Sequence, residues 1–116
     1  VLVKADLFRI RQVLINLVNN SIKYGKENGK TEISFNYLND DVIIEISDNG
    51  NGIEEQHLPR IFERFYRVDK GRSREQGGTG LGLSIVKHII EAHQKSIIAE
   101  SELNKGTKFT FALTAG

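Results

Sequence analysis

Two hairpins and two helices, in the order helix, hairpin, helix, hairpin, limit what this chain can fold into. Residues 31–38 alternate apolar and polar side chains, with Ile33, Phe35 and Tyr37 on one face. Asn39-Asp40-Asp41 supplies turn chemistry, and residues 42–48 alternate again. Strands joined by so short a turn pair antiparallel, whereas parallel neighbours need a crossover of a dozen residues or more. A second such pair, residues 96–101 and 107–113, is joined through Asn104-Lys105-Gly106. Each hairpin follows an amphipathic helix. In the first, over residues 6–24, Asp6 is placed to cap the N-terminus, and Leu7, Ile10, Leu14, Leu17, Val18 and Ile22 recur at helical spacing. Gly25 and Gly29 end it. The second, over residues 80–93, has Leu83, Val86, Ile89 and Ile90 to bury. A shorter helical piece is expected over residues 57–65. This segregation predicts an α+β fold: a two-layer α/β sandwich with a mixed, mostly antiparallel sheet packed against helices on one face, and not a doubly wound sheet.

Composition narrows the function classes. The 116 residues suffice for one domain with its own core, and 39% apolar with 27% charged residues is ordinary for a globular chain. A net charge of +1 gives no global attraction to nucleic acid or to a membrane surface. Without cysteine there is neither a disulfide scaffold nor a thiolate metal site. No apolar run approaches the length of a membrane span, and Val1-Leu2-Val3 is not a signal peptide. The chain opens mid-strand without an initiator methionine, so it reads as a piece of a longer protein.

Six side chains and several segments carry chemistry. Gly77-Gly78-Thr79-Gly80-Leu81-Gly82-Leu83-Ser84 runs into the second helix, where unpaired N–H groups and the helix dipole favour an anion. It is not a Walker A loop, because Leu83 stands where the lysine belongs. It is not a Rossmann turn either, because Ile85 takes the place of the third glycine. A phosphate cradle and a plain glycine hinge both remain open. On the first helix Asn16, Asn20, Lys23 and Tyr24 share a face expected to lie roughly opposite the apolar stripe. A solvated polar face accounts for that. So does a set of carboxamide oxygens for a hard cation such as Mg²⁺, with Lys23 in reach of phosphate. Asp48 is in phase with Ile44 and Ile46, and a core-facing carboxylate needs a donor. An adenine amine in an apolar slot would serve, and so would an Asx-turn in Asp48-Asn49-Gly50. Thr107, in phase with Phe109, Phe111 and Leu113, points into the same layer. The glycines of Asp48-Asn49-Gly50-Asn51-Gly52-Ile53 are two apart, which allows backbone to pass close to a flat base. Ile61-Phe62-Glu63-Arg64-Phe65-Tyr66-Arg67 combines core aromatics with two arginines three apart. Residues 69–76 hold no apolar side chain but include Lys70, Arg72 and Arg74, as expected of a mobile basic lid.

Taken in order, these segments closely resemble the ATP-binding catalytic domain of bacterial sensor histidine kinases, members of the Bergerat-fold superfamily. Asn16-Leu17-Val18-Asn19-Asn20-Ser21-Ile22-Lys23-Tyr24 resembles its asparagine box, and Asp48 to Ile53 its first glycine box. Phe62-Glu63-Arg64-Phe65-Tyr66-Arg67 is similar to the phenylalanine box, and Gly78-Thr79-Gly80-Leu81-Gly82-Leu83 to the second glycine box. The resemblance implies ATP and Mg²⁺ as cofactors, with Asn20 on the metal and Asn16 beside the phosphates. It also implies Lys23 and Arg67 on phosphate, Tyr24 against the adenine, and Asp48 accepting from the adenine amine with Thr107 in support. Residues 78–83 would wrap the phosphates. No catalytic residue is implied within the fragment. The partners implied are the protein's own dimerisation and histidine-phosphotransfer domain and a response regulator receiver domain. A full-length homodimer with a monomeric fragment follows, in a cytoplasmic domain of a membrane-anchored sensor kinase. Two departures stand out. Ser21 replaces a common alanine and Gln94-Lys95 replaces a glycine-containing turn, neither expected at the site.

Overall fold

The computed structural model describes residues 3–23, 26, 28–66 and 82–116. Five strands form one antiparallel sheet: β1 (Val3–Lys4), β2 (Thr31–Leu38), β3 (Asp41–Asp48), β4 (Ile97–Glu102) and β5 (Gly106–Ala115). β5 is its hub. It pairs with β3 along one edge, while β4 and then β1 share the other edge. β2 lies outside β3, paired Thr31 with Asp48 through to Leu38 with Asp41. All of these pairings are antiparallel, so the mixed sheet foreseen from sequence has no parallel member among the described residues.

Helices α1 (Leu7–Lys23) and α2 (Gly82–Ala92) cover one face of this sheet. Alternation puts Val42, Ile44 and Ile46 of β3 and Phe109, Phe111 and Leu113 of β5 on that face, all buried. Ile10, Val13 and Leu17 descend onto them from α1, and Val86, Ile89 and Ile90 from α2. Asp6 caps α1 as expected, its Oδ1 accepting from the Arg9 N–H at 3.2 Å. The Asp6 N–H donates to His93 Nε2 at 3.1 Å, tying the start of α1 to the end of α2.

Two expectations need correction. The buried line of α1 is Ile10, Val13, Leu17 and Ser21, and Leu7 and Ile22 are exposed, because the helix meets the sheet on a narrower stripe than its apolar residues span. Phe8, Ile15 and Ile22, seven apart, form a second apolar line on the outside. Ile33, Phe35 and Tyr37 do share the inner face, opposite Ile46, Ile44 and Val42. They stay exposed because edge strand β2 lies beyond the cover of the helices. The helical piece of residues 57–65 is a 3₁₀ helix, Glu55–Arg60, containing Pro59 and followed by turns.

Candidate functional site

The inner face of the sheet ends in a polar rung. Continuing the alternation beyond Ile46, Phe109 and Ala99 brings Asp48, Thr107 and Ser101 onto the helix side, where β3 and β4 end and β5 begins. Ser101 Oγ organises the rung. It accepts from the Ile53 N–H at 2.7 Å, donates to the Gly106 carbonyl at 2.8 Å and lies 2.9 Å from Thr107 Oγ1. A hydroxyl has one proton. With that proton on Gly106, Thr107 must donate to Ser101, which leaves Thr107 with acceptor capacity only. Asp48 is half-buried, and its Oδ1 accepts from the Gly50 N–H at 2.9 Å. The Asx-turn reading is therefore right for one carboxylate oxygen, and the same carboxylate also faces the layer.

The loop after Asp48 is held by close backbone contacts. Asn49 Oδ1 accepts from the Lys30 N–H at 2.7 Å, and Asn51 O accepts from the Asn104 N–H at 2.7 Å. At Gly52, φ is +75 and an added Cβ would lie 2.2 Å from the Glu102 carbonyl oxygen. That glycine is required where the loop passes the tip of the β4–β5 hairpin. Gly50 is buried, and Ile53 is half-buried against the core.

On the helix layer, Asn16 and Asn20 are half-buried on the flank of α1 that faces α2, not opposite the buried stripe. Asn16 Nδ2 donates one N–H to the Gly82 carbonyl at 3.4 Å, which links it to the start of α2 without engaging its Oδ1. The Asn20 carboxamide has no described partner. Gly82 is exposed at the head of α2, with nothing within 4 Å of where a Cβ would stand, and Leu83 packs partly against the core. Tyr24, Arg67, Gly78, Thr79, Gly80, Leu81, the side chain of Lys23 and the basic segment 69–76 lie outside the described residues.

The aromatic segment closes the near side. Phe62 meets Phe109 edge-on, with centroids 6.2 Å apart, and Lys87 lies 5.9 Å over the Phe62 ring. Tyr66 is hydrogen-bonded to His57 and carries the Arg60 guanidinium at 4.6 Å over its ring. The hydrogen bond from Arg60 holds the exposed Glu63 carboxyl below the usual carboxylate range and raises Arg60 itself. Phe65 is exposed at φ +66, a costly conformation for a bulky residue, with the Arg64 guanidinium 5.5 Å from its ring.

Residues 5–116 match the family described as histidine kinase-, DNA gyrase B- and HSP90-like ATPases. This chain belongs to that family. Among relatives of this ATPase domain, the signal transduction histidine-protein kinase ArlS of Staphylococcus aureus is 47% identical over 107 residues. Those residues are 92% of this chain and 24% of ArlS, so the chain spans about a quarter of the length of the curated relatives it matches. The catalytic domain of histidine kinase ThkA is 38% identical with a TM-score of 0.82, over 97% of this chain and 70% of that one. Full-length ShkA in complex with AMPPNP is 28% identical with a TM-score of 0.83, over 98% of this chain and 23% of that one. The mycobacterial sensor histidine kinase MprB gives a TM-score of 0.86 at 25% identity, over 97% of this chain and 76% of that one. The resemblance read from four motifs is borne out, as is the two-layer ATPase fold.

Sequence reasoning about this ATPase domain missed Ser101, which fixes both Thr107 and Ile53. Its signal was present: Ser101 is in phase with Ile97 and Ala99 on the inner face of β4. Among the described residues no group of three or more His, Cys, Asp or Glu side chains gathers as a metal site. A cation here would depend on neutral carboxamide oxygen and on the oxygens of a ligand.

Proposed function

We propose that this domain binds ATP with Mg²⁺ between the Asp48–Thr107 rung and the asparagine flank of α1. It donates the γ-phosphoryl group to a histidine on a separate dimerisation domain, in two-component signalling. The observation that carries the choice of kinase is Asn16. In the hydrolases of the superfamily, a general-base glutamate stands four residues before the metal-binding asparagine. Asn16 holds that place here, and a carboxamide cannot take a proton from water. The similarity to ArlS and ThkA, both named histidine kinases, supports the same reading.

Asp48 accepts the exocyclic amine of adenine, and Thr107 supports it as an acceptor. Asn20 suits Mg²⁺ because that ion keeps waters and phosphate oxygens and needs few protein ligands, so one neutral carboxamide completes the donor set. When bound, the ion neutralises charge on the phosphates. The head of α2, with Gly82 and Leu83, gives the triphosphate the positive end of a helix. Lys23, Arg67 and residues 78–81 add phosphate contacts, and Tyr24 lies against the base. In the transfer, an imidazole nitrogen forms the N–P bond as the bond from Pγ to the bridging oxygen breaks. ADP leaves and the imidazole loses its proton, so that positioning and charge neutralisation supply the catalysis. The acceptor is a histidine outside this chain, and the phosphoryl passes on to a receiver domain. The complete protein is a membrane-anchored homodimer with this domain in the cytoplasm.

The test is incubation with γ-labelled ATP·Mg, alone and with the upstream helical domain of the same protein added. The isolated domain should neither hydrolyse ATP briskly nor label itself. The added domain should acquire an acid-labile, alkali-stable label. Brisk hydrolysis, or an acid-stable and alkali-labile label, would replace the histidine-kinase reading with a hydrolase or a serine kinase, and no transfer with ATP binding intact would leave a non-catalytic nucleotide-sensing module.

A further inference from the structure

The buried line of α1 ends on a hydroxyl. Ser21 is 2% exposed, and its Oγ has no hydrogen-bond partner among the described residues. A serine inside a helix ordinarily returns its proton to the carbonyl one turn back, and Ser21 does not. Buried polar groups are nearly always satisfied, so an orphaned one points to a missing ligand or water. Ser21 and Thr107 are the buried polar side chains among the described residues. Since Thr107 gives its proton to Ser101, Ser21 holds the uncommitted buried hydroxyl proton.

Its place in the fold matters as much. Asn16 is level with the first residue of α2, so α1 overruns α2 by about two turns and carries Ser21 past the start of its neighbour. At that end the chain returns through Lys30, pinned to Asn49, into the strand whose Thr31 pairs with Asp48. Ser21 therefore faces the sheet from the end of the helix layer that overlies the polar rung.

Adenine presents a donor, its exocyclic amine, beside an acceptor, ring nitrogen N1. Asp48 satisfies the donor but has no proton to offer N1. Thr107 has none to spare. We propose that Ser21 is a positioning residue for the base, its hydroxyl donating to adenine N1 directly or through one bound water. This rests on the ATP reading above.

The test pairs a side-chain deletion with a ligand-atom deletion. ATP and 1-deaza-ATP, in which N1 is replaced by C–H, are titrated calorimetrically into wild type and Ser21→Ala. Wild type should prefer ATP by roughly five- to tenfold, the worth of one buried neutral hydrogen bond, and Ser21→Ala should bind the two alike. The variant should also melt higher than wild type without nucleotide, since alanine removes an unsatisfied group and favours helix. If wild type shows no preference, or Ser21→Ala keeps it, the proposal fails. Equal weakening of both ligands would mark Ser21 as purely structural and overturns it too. Asp48→Asn titrated in parallel separates the two readings. Undiminished ATP affinity there refutes the adenine site itself, whereas a large loss there with N1 preference retained in Ser21→Ala refutes Ser21 alone.

Discussion

Substituting alanine for Gly106 should damage stability and nucleotide binding together. Gly106 opens β5 at φ +129, a region essentially closed to residues with a side chain, which costs about 1–3 kcal/mol. An added Cβ would also lie 1.9 Å from the Asp48 carbonyl oxygen and 2.9 Å from its carbonyl carbon. Both neighbours are backbone, so β3 and β5 must part by about 1.5 Å to reach ordinary contact. That movement pulls the Gly106 carbonyl off Ser101 and unsettles Thr107 beside it, about 1–2 kcal/mol more. The sum is a loss of about 2–5 kcal/mol, or about 8–20 °C in melting temperature for a domain of this size. Thermal denaturation followed by circular dichroism measures it, and calorimetry should show weaker ATP binding wherever the variant is still folded. Gly82→Ala is the matched control. It has open space around its Cβ and helical backbone, so it should be neutral or up to about 1 kcal/mol more stable. A Gly106→Ala protein that melts with wild type would refute the reasoning that β3 and β5 meet too closely at this glycine to admit a side chain.

Gln94 sits at φ +61 just after α2, where Lys95 N–H bonds back to the Ile90 carbonyl in a Schellman closure; Gln94→Gly should raise stability by about 1 kcal/mol in urea denaturation. Asp48→Asn should cost at least ~2 kcal/mol of ATP affinity, roughly thirtyfold, while wild type rejects GTP; equal titration of ATP and GTP would remove the adenine assignment. Asn20→Ala should abolish the tightening of ATP binding by Mg²⁺ and spare metal-free ADP binding, and an equal fall in both would make the residue structural.

The strands were legible because alternation is a local signal. Residues 31–38 coincide with β2, and Asp48 and Thr107 face the helix layer as their phase required. What periodicity could not convey was how far cover extends. Ile33, Phe35 and Tyr37 carry the inner-face pattern and remain open to solvent, since burial depends on where α1 comes to rest and not on β2 itself. The same limit misplaced the asparagine face of α1, because the buried line of a helix is decided by its neighbours. Ser101 escaped notice, and Ser21 stood out only as a departure from the family pattern set apart from the site, for a different reason. A hydroxyl is unremarkable in a strand or a helix until the three-dimensional accounting of donors and acceptors is made.

That β5 follows all of its pairing partners in sequence has a consequence for biosynthesis. This strand touches β1, β3 and β4, and its partner β1 is joined to it across more than a hundred residues, Val3 to Ala115. While a ribosome is still making residues 106–115, β3 has one partner, β2, and its other edge is bare. Neither helix then has a finished floor on which to settle. Folding of this domain should therefore wait until β5 has cleared the exit tunnel. The long-range pairings that β5 brings make that step slow and expose the nascent chain to wrong partners. A stalled chain ending before Gly106 should be cleaved readily by protease, and one extended by a linker long enough to free Ala115 should resist it.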